Sequence, residues 1–137
     1  MSNEPLTALE CSVLDRLADT LIPPARDAIC ASQAGVSGPL LVQAETYAPD
    51  LPGRLRAVVS EATGIEPAAA LTALKLRDSA AYDAFCETIA AIYFLSPQVR
   101  ATIGFAGREP KPARVEVSDL EDLLMPVLEA GFAPRAV

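Results

Sequence analysis

Apolar and polar positions along the chain recur with a helical period, and prolines and glycines cut that pattern into segments. Thr7-Ala8-Leu9-Glu10 reads as a capping box, with Leu6 and Cys11 placed as a hydrophobic staple across it. Leu9, Val13, Leu17 and Leu21 then form an i, i+4 stripe flanked by Leu14 and Ala18, while Asp15, Arg16 and Asp19 fall on the polar side. This predicts an amphipathic helix ended by Pro23-Pro24. Residues 25–37 are ambiguous: Ala25 to Gln33 could form one helical stretch, and Gly35 and Gly38-Pro39 punctuate the chain beyond it.

Pro39 to Tyr47 is expected to be helical and to stop before Pro49. Asp50 is placed to cap a helix with Pro52 in its first turn, running to Gly64. Pro67 opens another, with Leu71, Leu74 and Leu76 as its apolar positions and Arg77-Asp78 near its end. Ser79 is the expected cap of the next. That helix begins amphipathic, with Asp83 and Glu87 on a wet face, but from Ile89 to Leu95 it is apolar on every side. A helix apolar all round is ordinarily enclosed all round, so the stretch of about 80–95 is expected to be the buried centre of the fold.

Ser96-Pro97 breaks that helix and suits the cap and first position of a short one, Pro97 to Ile103. Gly104 fits the left-handed position that closes a helix, with Phe105 as its apolar follow-up. Gly107, Pro110 and Pro112 keep the next stretch irregular, and Arg114 to Val117 is the one short segment that could be extended. Ser118-Asp119-Leu120-Glu121 reads as a second capping box. Leu120, Leu123, Leu124, Val127 and Leu128 come after it at helical spacing to Gly131, with Pro126 inside. The fold class is therefore expected to be all-α: a single-domain irregular helical bundle, residues 1–137, of six or seven helices around the central one.

Composition narrows the functional classes. A net charge of −7 lacks the clustered positive charge of a nucleic-acid footprint and disfavours an anionic membrane surface. No apolar run is long enough for direct membrane insertion. Met1-Ser2-Asn3-Glu4-Pro5 carries no basic or apolar leader segment, so a cytoplasmic protein is expected, or a periplasmic one only if a leader was trimmed or the protein is co-exported. The chain has no histidine, which removes Ser–His and Cys–His nucleophile pairs and the commonest metal ligand. Cys11, Cys30 and Cys86 are expected to be small buried apolar residues in a reducing compartment.

The carboxylate pairs Asp15/Asp19 and Glu121-Asp122 read as solvated surface groups, because paired acids need desolvation to divide acid and base roles. Gly104-Phe105-Ala106-Gly107 has no preceding strand and little weight as a phosphate cradle. These absences lead us to expect no catalytic, cofactor-binding or metal-ligating residue in the chain.

Between residues 100 and 114, Arg100, Arg108, Lys111 and Arg114 face the single acid Glu109, and Glu116, Asp119, Glu121 and Asp122 come directly afterwards. A basic, Gly/Pro-stiffened loop carrying Phe105 suits partner binding by Arg and aromatic contacts; the plain alternative folds it back on the acidic helix start. The expected partner contacts are Phe94, Arg100, Phe105, Arg108 and Pro110, with Tyr93, Pro97, Gly104, Gly107 and Pro126 in structural roles.

Several segments, in order, resemble one family. Leu6-Thr7 and Leu17-Ala18-Asp19-Thr20-Leu21-Ile22-Pro23-Pro24 with Ala34-Gly35-Val36, then Tyr93-Phe94-Leu95-Ser96-Pro97-Gln98-Val99 with Ile103-Gly104-Phe105-Ala106-Gly107, then Leu123-Leu124-Met125-Pro126-Val127 ending at Gly131, are similar to the gluconate 2-dehydrogenase subunit 3 family. These are small gamma subunits of flavin-dependent glucose–methanol–choline-type dehydrogenases. The resemblance implies a non-catalytic accessory subunit that stabilises, matures or escorts a separate catalytic subunit holding FAD; in several relatives a multihaem cytochrome subunit completes the complex. This chain lacks the twin-arginine signal usual in periplasmic members. The alternative from another class is a self-associating helical module, a homodimer or a small-ligand pocket, with no dehydrogenase partner.

Overall fold

Thr7 and Glu10 close the first turn of the chain as their spacing requires. The Thr7 N–H donates to Glu10 Oε2 at 2.7 Å, and the Glu10 N–H donates to Thr7 Oγ1 at 3.3 Å. They open α1 (Ala8–Leu21), the first of eight helices among the residues described by this computed structural model, which are 4–105, 107–108 and 117–131. The others are α2 (Ala31–Ala34), α3 (Pro39–Glu45), α4 (Leu51–Ala62), α5 (Pro67–Arg77), α6 (Ser79–Tyr93), α7 (Pro97–Thr102) and α8 (Val117–Glu129). The fold is all-α; among the described residues the sole β feature is an isolated bridge between Ala25 and Ala28, which replaces the helical reading of that stretch. The chain divides into two units, Met1–Ala106 and Gly107–Val137.

In the first unit, α1 packs on α2, α4 and α5, and α6 packs on α5 and α3. Leu14, Leu17 and Ala18 of α1 meet Leu41, Leu55, Val59, Ile89 and Ile92 in one apolar cluster. The periodicity located this core through α1, α4 and α6 but misjudged how α6 sits in it. Phe85, Ile89, Ile92 and Tyr93 are buried, whereas Ala91 and Phe94 are exposed, so α6 is not enclosed on every side. Alanine makes a helix apolar all round without giving neighbours much to gain by covering it, since burial contributes in proportion to the apolar area removed from water. Leu76 is likewise exposed, because it lies on a different face of α5 from the buried Leu71 and Leu74.

The caps were mostly legible, with one displacement and one missing capping bond in the first unit. Asp78, not Ser79, caps α6, its carboxylate accepting from the Ala81 N–H at 3.0 Å. Asp50 occupies the cap position of α4 without a side-chain capping bond and instead pairs with Arg54 at 3.7 Å. In the second unit, helix α8 already includes Val117, so Ser118 lies within its first turn and not at the cap, and Val117 is helical, not extended. Pro126 lies inside α8, and Gly131 at its end has φ +71°.

The polar face of α1 is tied down more than its sequence suggests. Arg56 of α4 donates through Nε to Glu10 Oε1 at 2.8 Å and through Nη2 to the carbonyls of Glu4 and Pro5, each at 3.0 Å. The Thr7 N–H and, next, Arg56 hold the Glu10 carboxyl below its ordinary range. Asp19 is not simply solvated: its carboxylate accepts from the Ser32 N–H at 2.8 Å and from the Ser32 hydroxyl at 2.7 Å, joining α1 to the start of α2. Asp15 is half-buried, with an Oδ1 that has no partner among the described residues. Burial pushes its carboxyl up, opposed by a hydrogen bond from Ser37 and assisted by the nearby Asp19 charge. The solvated reading of Asp15/Asp19 is therefore corrected, because the turn to α2 brings serines against that face.

Candidate partner-binding surface

The end of α6 and the whole of α7 form one tightly capped corner of the first unit. Tyr93 is 7% exposed and its hydroxyl donates to the Ile29 carbonyl at 2.7 Å, which anchors the last turn of α6. Phe94 is the C-terminal cap residue, stands edge-on to the Tyr93 ring at 5.6 Å between centroids, and is 47% exposed. Ser96 is buried, and its hydroxyl accepts from the Val99 N–H at 3.4 Å, so Ser96-Pro97 opens α7 as the sequence required. Val99 is buried and fastens α7 to the core.

The exit from α7 is a Schellman turn. The Gly104 N–H donates to the Ala101 carbonyl at 3.1 Å and the Phe105 N–H to the Arg100 carbonyl at 2.9 Å, with Gly104 at φ +73°. A Cβ built on Gly104 would meet nothing within 4 Å, so glycine is favoured there by backbone conformation alone. This turn leaves Ile103 59% and Phe105 54% exposed. Pro97, Arg100, Ala101, Gly104 and Phe105 line a shallow hollow of about 480 Å³. Arg100 is half-buried, and its Nε is buried with no hydrogen-bond partner among the described residues.

The structure thus brings together Arg100 and Phe105 around one hollow, with Pro97 and Gly104 shaping it. Phe94, expected among the partner contacts, is an exposed aromatic although it ends the apolar run Ile89 to Leu95, and Tyr93 takes the core role. Arg108 is exposed and Gly107 has φ +85°, both within the second unit, as does Pro126 in α8. Pro110 lies outside the described residues, as do Lys111, Arg114 and Glu116.

Cys30 is buried, as expected of a small apolar residue, while Cys11 and Cys86 are half-buried; all three thiols are free. Among the described residues no group of three or more His, Cys, Asp or Glu side chains is placed to hold a metal ion, and no helix is long and apolar enough to cross a membrane. Sequence reasoning passed over Tyr47 and Arg54, which lie beside the uncovered face of α6; the signal was the run Ala90-Ala91, apolar yet too small to demand cover. Comparison of the chain with protein-family models, with curated proteins and with solved structures finds no match.

Proposed function

We propose that this chain is a non-catalytic accessory subunit that stabilises, matures or escorts a separate FAD-dependent sugar or alcohol dehydrogenase subunit. The observation that carries the reading is the corner at α6–α7, where Phe94, Ile103 and Phe105 each leave about half their surface in water beside a half-buried arginine. Aromatic and arginine side chains held on rigid backbone are the groups that contribute most at protein interfaces, because little conformational freedom remains to be lost on docking. Tyr93, Ser96 and the Schellman turn supply that rigidity here. The resemblance of the segments around Pro23-Pro24, Ser96-Pro97 and Pro126 to the gamma-subunit family supplies the class of partner.

Co-expression with candidate FAD-dependent dehydrogenase catalytic subunits from the same genome tests the reading. The catalytic subunit should be more soluble and better loaded with FAD when this chain is present, and Phe105→Glu should abolish co-purification while leaving Tm within about 2 °C, as expected for a change at an exposed position. A flavoprotein equally soluble, loaded and active alone would overturn it.

A further inference from the structure

The uncovered face of α6 borders a second apolar surface, separate from the corner at α7. Ala44, Tyr47, Ala48 and Leu51 on one side, and Ala91, Ile92 and Leu95 on the other, enclose a groove of about 290 Å³. Arg54 and Thr88 complete its lining, and the same two residues also line an adjoining cavity of about 320 Å³ whose walls include Ala57, Ala84 and Phe85. Two apolar hollows therefore meet at one guanidinium.

That guanidinium is weakly engaged. Its ion pair with Asp50 is 3.7 Å long and both side chains are largely in water, a class of contact that contributes little. The Thr88 hydroxyl is already committed to the Ala84 carbonyl at 2.7 Å. Arg54 is thus the one cationic group on an otherwise uncharged lining, with the Tyr47 phenol nearby on the same wall. An apolar cleft with a few polar groups at its edge is the usual form of a small-molecule site, and a guanidinium favours carboxylate through paired N–H donors.

From this geometry we infer that the α3–α4/α6 groove binds an aliphatic carboxylate, its chain lying along Ala91, Ile92 and Leu95 and its head group on Arg54. This site goes beyond the accessory role and does not depend on it. Sodium decanoate, below its micelle concentration, is the probe, titrated into the full chain by calorimetry against decyltrimethylammonium, which has the same tail and the opposite head.

Decanoate should bind at one site, more tightly than the cation although the protein carries a net charge of −7. Arg54→Gln should weaken decanoate roughly tenfold through the lost charge-assisted bond. Ala91→Phe, at an exposed position, should fill the groove and remove binding while circular dichroism stays unchanged. Equal binding of the two amphiphiles, no effect of Arg54→Gln, or binding that survives Ala91→Phe would each overturn the assignment. So would a dimer dispersed by Ala91→Phe in sedimentation with no decanoate binding, which would put a second copy on this face.

Discussion

Helices α1 and α6 are of similar length, 14 and 15 residues, and α6 is the more apolar of the two, yet it is the less completely covered. From Val13 to Ala18 the apolar face of α1 is closed by α2, α4 and α5, although Leu9 at its start is exposed, and its polar face is held by Arg56 on Glu10 and by Ser32 on Asp19. Its side chains inside are large: Leu14 and Leu17 are almost wholly buried. Helix α6 has a buried side of Phe85, Ile89, Ile92 and Tyr93, but its outer side is built from Ala91, Thr88 and Ala84 and lies open to two cavities. A leucine gains more from cover than an alanine does, because it removes more apolar area from water. The difference separates the part of the molecule that holds the fold from the part left free to meet something else.

Four tests would break or sharpen that contrast, beginning with the most damaging. Leu17→Ala empties the closed side, where the residue is 1% exposed, and should cost about 3 kcal/mol, seen as a Tm fall of more than about 10 °C. Ala91→Leu on the open side of α6 is its control and should stay within about 0.5 kcal/mol. Comparable losses at the two positions would mean that α6 is enclosed after all.

Arg56→Ala removes the part-buried Glu10 pair and two contacts to exposed carbonyls at once, and should lower Tm by about 3–5 °C, because several acceptors lose one charged donor together. Arg54→Ala, whose ion pair is exposed, should move Tm by about 1–2 °C or less. Equal effects would show that the polar side of α1 is no better tied than the groove rim.

Gly104→Ala forces a Cβ into a left-handed residue with room around it, so the cost is conformational and should be about 1 kcal/mol, while Gly104→Asn should cost less. Thermal melts of the pair check this, and identical stabilities would rule out the Schellman reading.

Asp15→Asn has the smallest expected effect and the opposite sign. Burial favours the neutral acid, so the folded-state pKa lies above the ordinary 3.8. The stability linked to protonation is fully present below that ordinary value and is lost as pH rises through the raised folded-state one. Asparagine therefore stabilises at neutral pH, by less than about 1 kcal/mol given the partial exposure of the group. Its advantage over the native chain should shrink as pH falls into the acid range. A Tm difference independent of pH would mean that Asp15 is solvated like an ordinary surface acid.

Local order decided what the sequence could reveal. The Thr7/Glu10 box, the Ser96-Pro97 start, the Gly104 and Gly131 ends and the all-α class each depend on residues within five positions of one another, so their chemistry is written contiguously. Arg100 and Phe105 could be placed beside one another for the same reason: they share a single turn.

What only the tertiary structure decided lies farther apart in the chain. Arg56 meets Glu10 across 46 positions, Tyr93 meets Ile29 across 64, and Asp19 finds Ser32 only because α1 turns back into α2. Whether the apolar side of α6 would be covered depended equally on how closely α3 and α4 approach it, a distance set by the whole packing of the unit and by no residue of α6 alone. Periodicity records which faces prefer to leave water, while cover requires a second surface of matching shape, and that partner is chosen only when the chain closes on itself.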